Sequence, residues 1–416
     1  MENQASKIPL ALEALKTELL AELRRINHFW LNDVISEESY CGQVSADGVR
    51  EPNADKGIIL ATRMLWYFSE AAMYLEEYSL RCAADKIYCF ICDYFIDTRQ
   101  GGVFWMLNAK GQVKNDRKQV YAQAFAIYAF SAYFRLSKNP AALEHARRIF
   151  ALLETHAFDQ VNGGYFEAFS HDWGFLHDIR LSTKDLPSPK TMNTHLHLLE
   201  AYTGLLRAEK IAGSDLHLMK ISTCLIRLLN TYKERFFDAD TKHLRMFMGN
   251  TWFDESSAYS FGHDIESSWL IWEAVTELHS HNLKPIYQAT VDSLIQTTIA
   301  EGLASNAGSV YDMVQISTGH IEKARIWWVQ AEALVGFFNA WQITRNDQYL
   351  NYVFGIWEFI RQELLDRKHG EWHWTATCDT DPKVPSHYKV GPWKGPYHNG
   401  RAMLELCRRI DDIHLE

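Results

Sequence analysis

The chain has 416 residues, 47% hydrophobic and 23% charged, with 42 Lys and Arg against 52 Asp and Glu for a net charge of −10. That balance is the composition of a globular protein and excludes a disordered, collagen-like or disulfide-framework chain. An acidic chain without a basic cluster has no electrostatic footprint for nucleic acid or an anionic membrane, and its most apolar stretch, residues 119–134, is shorter than the ~20 residues that span a bilayer.

In chain order, hydrophobic periodicity predicts twelve helices. They cover 8–31, 56–75 with 80–96, 119–136 with 141–156, and 192–209 with 217–237. The rest cover 264–281 with 286–302, 325–344 with 348–365, and 399–413. Short Gly- or His-marked turns recur at Gly42, Gly101, Gly163, His243, Gly308 and Gly370, at spacings of 59, 62, 80, 65 and 62 residues. A period near 60 marks stacked supersecondary units rather than independent domains, so residues 1–416 read as one domain. The long interval holds an extra Pro-containing loop, HDWGFLHDIRLSTKDLPSPK, of the kind that carries function on a rigid scaffold.

The first helix of each pair, as in YAQAFAIYAFSAYF and RIWWVQAEALVGFFNAW, is apolar on nearly every face and therefore buried all round. Its partner, as in PAALEHARRIFALLETH, carries a charged stripe for solvent. Six buried helices ringed by six amphipathic ones make an all-α (α/α)6 barrel, with short β-hairpin-like loops at one end. Twelve helices could also stack as an open solenoid; the apolarity of the inner set favours closure.

The N-terminal MENQASKIPLALEALK lacks the shape of a secretory signal. Seven scattered cysteines form no disulfide pattern, which points to the cytoplasm. Cys89 and Cys92 form a lone C-x-x-C inside an apolar run and read as two small core residues, not as a redox or zinc pair. No coiled-coil segment forces assembly, so a monomer is expected.

Parallel inner helices gather their N-terminal ends around one mouth, and the polar residues least expected in apolar helices sit at those ends. Arg63 opens the first inner helix and Tyr121 the second. Asn193 and His197 lie in KTMNTHLHLLEAY, while His263, Asp264 and Glu266 lie in SFGHDIESSWLIWEA. Trp328 and Glu332 lie in RIWWVQAEALVGF, and Trp393 and His398 in VGPWKGPYHNGRAMLEL. Each has an ordinary structural reading: His197 as a satisfied core histidine, His263 and His398 as helix caps, Glu266 and Glu332 as ion partners of Arg63, the tryptophans as filler. Their coincidence at one end of six repeats points instead to a shared pocket, to which the helix ends lend partial positive charge.

His263 and Glu266 have i, i+3 spacing, yet no third ligand completes a metal site. No phosphate-cradling glycine loop or nucleophile elbow is present, which disfavours nucleotide cofactors and serine-type acyl transfer. Histidines with carboxylates, an arginine and tryptophans suit a sugar pocket. Tryptophan faces stack on the C–H faces of sugars, and two imidazoles remove and return a proton near pH 7. Arg63 can hold the enediolate oxygen that such a step creates.

Through KTMNTHLHLLEAY, FGHDIESSWL, WWVQAEA and GPWKGPYHNGRA, the chain resembles the N-acylglucosamine 2-epimerase superfamily over essentially its whole length. Asp264 and the WWVQAE tandem resemble its branch acting on cellobiose-type disaccharides. The resemblance implies an (α/α)6 barrel that epimerises carbon 2 of the reducing-end sugar of a β-1,4-linked disaccharide, whether cellobiose, mannobiose or lactose. Ring opening, proton removal by one histidine, a cis-enediolate and proton return by another are implied. By motif, His263 and His398 resemble the acid/base pair, His197 a third histidine assisting ring opening, Arg63 the oxyanion partner, and Glu266 a residue that orients the histidines. Tyr121, Asp185, Asn193 and Glu332 resemble hydroxyl-binding residues, and Trp328 and Trp393 sugar platforms. No metal or organic cofactor is implied. The competing readings are a monosaccharide epimerase or isomerase on the same fold, an (α/α)6 glycoside hydrolase with two catalytic carboxylates, and a non-catalytic sugar-binding protein.

Overall fold

The computed structural model describes residues 7–37, 39–280, 282–306, 308–380 and 387–413. Twelve α-helices are present among them: α1 (Lys7–Phe29), α2 (Ile58–Leu75), α3 (Tyr78–Phe90), α4 (Val120–Ser137), α5 (Pro140–Leu152), α6 (Met192–Ala212), α7 (Asp215–Thr231), α8 (Phe261–Glu277), α9 (Leu283–Thr297), α10 (Trp327–Thr344), α11 (Gln348–Glu363) and α12 (His398–Ile413). The even-numbered helices form the inner ring. Each packs on the next, and α12 returns to α2, so the ring closes into an (α/α)6 barrel. The solenoid alternative fails on that last contact. The N-terminal helix α1 supplies the outer partner of α12, at the far end of the chain. Every residue of α4 from Val120 to Phe134 is buried, as its all-round apolar sequence requires. No helix among the described residues is long and apolar enough to cross a membrane.

Local sequence sets the helix starts. Asn139 accepts from the Ala141 amide ahead of Pro140, Thr191 caps α6 at Thr194, and Ser260 caps α8 at His263. The last of these moves the start of α8 three residues before the predicted 264. The outer helices end earlier as α-helix than predicted, because five close in a π-helical turn, at 30–34, 91–95, 153–157, 232–236 and 298–302. The chain then turns extended and pairs across a short loop, as in Ile96 with Val103, Phe158 with Tyr165 and Leu303 with Val310. Among the described residues, four two- or three-stranded antiparallel sheets sit at the same end as these loops.

The fourth residue of four inner helices ties down the preceding loop. Gln123 accepts the Val103 amide at 2.8 Å, His195 the Tyr165 amide at 2.9 Å, Asp264 the Leu244 amide at 3.0 Å and Gln330 the Val310 amide at 2.8 Å. Three loops are also held by buried lysine–aspartate pairs: Lys118–Asp97 at 2.6 Å, Lys190–Asp159 at 2.7 Å and Lys389–Asp366 at 2.8 Å. Asp159 also accepts the Val161 and Asn162 amides, and although burial alone would raise its pKa, these partners bring it down to about 2.

Asp159→Asn leaves Lys190, whose side chain is 0% exposed, without its counter-charge. It is expected to cost about 3–5 kcal/mol in urea unfolding. Because the folded Asp159 pKa lies below its unfolded value of ~3.9, the pair's stabilisation is complete above pH ~4 and is lost as the pH falls toward 2. An equally acid-stable variant would show that the pair contributes nothing.

Cys89 and Cys92 do lie one turn apart at the end of α3, but Cys89 is exposed and Cys92 half-buried, so they are not the core pair predicted. A cavity of about 920 Å³ opens where the inner helices end. Its wall is already ion-paired, with Arg135 and Arg408 on Glu70 and Arg207 on Glu273.

Candidate active site

At the opposite mouth, the first two turns of the six inner helices and the loops before them bring together the predicted residues other than Asp264. Arg63 on α2 donates to the Trp393 carbonyl at 2.7 Å and to the Tyr121 hydroxyl at 3.0 Å. Its guanidinium lies over Phe125 and Tyr397, 4.8 and 4.9 Å from the ring centres. The His197 ring packs edge-on against Tyr121 at 4.8 Å, and Trp393 lies 6.2 Å from Tyr121. On the other side, Trp328 lies between two histidines, 4.8 Å from the His263 ring and 5.6 Å from the His398 ring. Asp185, from the long loop, shares a small pocket with Asn193 and His263. The buried Asn193 Oδ1 has no protein partner, as a group reserved for a ligand hydroxyl requires.

Each histidine has its Nδ1 engaged. His197 Nδ1 is 2.9 Å from Glu200, His263 Nδ1 is 2.9 Å from the Ser260 hydroxyl, and His398 Nδ1 is 2.6 Å from Glu332. An ionised carboxylate only accepts, so it fixes the proton on Nδ1 and leaves Nε2 bare. Beneath the rings, Arg401 donates to Glu266 and Glu332, each at 2.6 Å, and to Glu200 and the Tyr397 hydroxyl. Trp269 donates to the second oxygen of Glu332 at 3.0 Å.

Burial keeps the His263 and His398 rings neutral. Desolvation, with the nearby His197, takes His263 down to about 3. Desolvation, then Arg63 and Arg401, hold His398 well below the ordinary imidazole range. Burial, aided by Glu332, pushes Glu266 up to about 7, and burial also raises Glu332. Tyr121 is pushed up to about 12 by burial and stays a neutral hydroxyl. Glu266, Glu332 and His398 place ligand atoms within 4.8 Å of one another, a set that could hold a metal ion. The cationic position between the two carboxylates is taken by Arg401.

One structural alternative and one expectation change. Glu266 and Glu332 pair with Arg401, not with Arg63. Asp264 turns away from the mouth to hold the Leu244 amide and His243, whose Nδ1 is 2.7 Å away. Sequence reasoning missed Arg401, Glu200 and Tyr397. Glu200 carried one usable signal: a carboxylate three residues after His197 on an otherwise apolar helix.

The N-acylglucosamine 2-epimerase model matches residues 40–401. The chain belongs to the N-acylglucosamine 2-epimerase family. It is 38% identical over 397 residues to a cellobiose 2-epimerase of Bacteroides fragilis, covering 95% of this chain and 99% of that one. It is 36% identical over 405 residues to a cellobiose 2-epimerase of Ruminococcus albus, covering 95% and 100%. The solved cellobiose 2-epimerase of Spirochaeta thermophila superposes with a TM-score of 0.89 at 35% identity, covering 98% of both chains. The family's barrel and this one thus agree from α1 to α12.

Proposed function

We propose that the chain epimerises carbon 2 of the reducing-end sugar of β-1,4-linked disaccharides, interconverting cellobiose and glucosyl-mannose, with lactose and mannobiose as related substrates. The observation that carries this reading is the pair His263 and His398. Both are neutral, both are held through Nδ1, and both lie against Trp328 in one mouth with Arg63. Full-length likeness to cellobiose 2-epimerases supports the substrate class.

In this reading His197 assists opening of the sugar ring. One of His263 and His398 takes the carbon-2 proton, and the electron pair moves onto the carbonyl oxygen to give a cis-enediolate. Arg63 stabilises that oxygen through a fixed, water-poor guanidinium. After rotation about the carbon-2 to carbon-3 bond, the other imidazole, neutral in the free protein and charged only once it has taken a proton from solvent, returns that proton to the opposite face, and the first ring releases the carbon-2 proton to solvent. Glu266, 4.0 Å from His398 Nδ1 and bonded to Arg401, tunes the rings through its charge. Tyr121, Asp185 and Asn193 hold hydroxyls, with Trp328 and Trp393 as platforms, while Glu332, its two oxygens taken by His398, Arg401 and Trp269, holds the His398 ring instead of a sugar hydroxyl. The residues call for neither a metal nor an organic cofactor. A hydrolase needs two carboxylates flanking the scissile bond, whereas Glu266 and Glu332 share one arginine nitrogen. Seven free thiols suit the cytoplasm, where we place the protein as a monomer without nucleic-acid partners.

Incubation with cellobiose in D₂O tests the reading. Glucosyl-mannose carrying deuterium at carbon 2, seen by NMR, is the expected product. Free glucose would make the protein a hydrolase. Unchanged cellobiose with turnover of mannose or N-acetylglucosamine would move it to monosaccharides.

A further inference from the structure

Two of the mouth's histidines are joined through one guanidinium. His197 meets one oxygen of Glu200 at 2.9 Å, and the other oxygen of Glu200 accepts from Arg401. The second amino group of Arg401 lies 2.6 Å from Glu332 Oε1, the same oxygen that His398 Nδ1 reaches at 2.6 Å. Three carboxylates, Glu200, Glu266 and Glu332, thus share a single cation, and all four residues are at most 1% exposed. With every carboxylate ionised, the cluster would hold more negative than positive charge away from water, which is costly. The guanidinium therefore governs how readily each carboxylate takes up a proton, and Glu200 and Glu332 govern the histidines they meet.

We propose that Arg401 is a positioning residue that couples His197 to His398, setting through Glu200 and Glu332 which nitrogen of each ring carries the proton. This rests on the two-histidine reading above. An ionised Glu332 accepts from Nδ1–H and leaves Nε2 as the base. A protonated Glu332 donates to Nδ1 instead and moves the ring proton to Nε2, where the ring cannot abstract. Loss of the negative charge on Glu200 leaves Arg401 more fully to Glu332, so a change at His197 is felt at His398. The titratable and charged groups facing this cluster are Arg63 on α2, Tyr121 and Tyr128 on α4, His197 and Glu200 on α6, Tyr232 after α7, His263 and Glu266 on α8, Glu332 on α10, and His398 with the preceding Tyr397 at α12. Arg401 is the cation that bonds to the carboxylates. Arg63 bonds to a carbonyl and a hydroxyl. The Arg401 guanidinium is further held over Trp269 and Tyr397, at 4.8 and 4.2 Å, so its fork has one orientation.

The test uses the full chain labelled with ¹⁵N-histidine, whose long-range ¹H–¹⁵N spectra report ring tautomers, beside pH profiles of kcat/KM. Wild type is expected to show Nδ1-protonated His197 and His398. Arg401→Lys keeps a charge but loses the fork. It is expected to mix the tautomers, lower kcat about 100-fold with KM little changed, and move the acid limb of the profile up by about 1 unit. Of the two histidines Glu200 meets only His197, its other oxygen accepting from Arg401 and the Tyr397 hydroxyl, yet the His398 resonances are expected to shift in Glu200→Gln, and this variant decides the matter if Arg401→Lys does not fold. A folded Arg401→Lys protein with wild-type tautomers and profile overturns the proposal, as does a Glu200→Gln protein whose His398 signals stay in place. Deuterium wash-in by His263→Asn and His398→Asn judges the two-histidine reading separately, since tautomer coupling is read without turnover.

Discussion

His398→Asn is expected to lower kcat for disaccharide epimerisation by at least ~100-fold, on the scale of a lost general acid or base. Asparagine can still donate to Glu332, which His398 now meets at 2.6 Å, so the carboxylate keeps its partner and the fold is spared. What asparagine cannot do is carry a proton. His263→Asn removes the other candidate from beside the Ser260 hydroxyl and is expected to fall as far. The two variants differ in a further way. With one imidazole gone, the other still removes and returns the carbon-2 proton of the epimer whose face it serves. Each single variant is therefore expected to wash deuterium into one disaccharide epimer and not the other, and the pair assigns a direction to each histidine. Near-normal turnover in both purified variants would remove them from the acid/base role. Exchange into both epimers by both variants would point to a single shared base elsewhere in the mouth.

The barrel was legible because its inner helices are apolar on every face, a signal that survives without knowledge of the partner helix. The site's rim was legible for the same reason: Arg63, His197, His263 and Glu332 are conspicuous against such helices. Arg401 was not, because α12 carries Arg408, Arg409 and two aspartates further along, and one more arginine there looks like an exposed charge. Its value depends on Glu200, 201 residues away in sequence, which no local pattern encodes. Asp264 shows the converse. It stands out beside His263, yet it occupies the same helix position as Gln123, His195 and Gln330, each of which holds a loop amide. Aligning the six repeats position by position separates such scaffold residues from the mouth. The π-helical turns stayed hidden, since a segment such as LETHA has the same periodicity in an α-helix.

Arg63→Met is expected to lower kcat about 10²–10³-fold, the scale seen when one donor to a developing oxyanion is lost. The argument is electrostatic. Arg63 is 3% exposed, and among the described residues it makes no ion pair with a carboxylate. Its two amino groups donate to a carbonyl and a hydroxyl, and its Nε has no partner. A buried cation without a counter-ion is costly in the free protein, and that cost is offset once a negative charge forms beside it. The neutral sugar gains little from such a group and the enediolate gains much, so the loss is expected in kcat with KM changed only slightly. Arg63→Lys keeps the charge but cannot hold Trp393 and Tyr121 together, and is expected to fall between wild type and Arg63→Met. If Arg63→Met instead raises KM and spares kcat, Arg63 binds the resting sugar, and the enediolate oxygen must be held by another donor in the mouth.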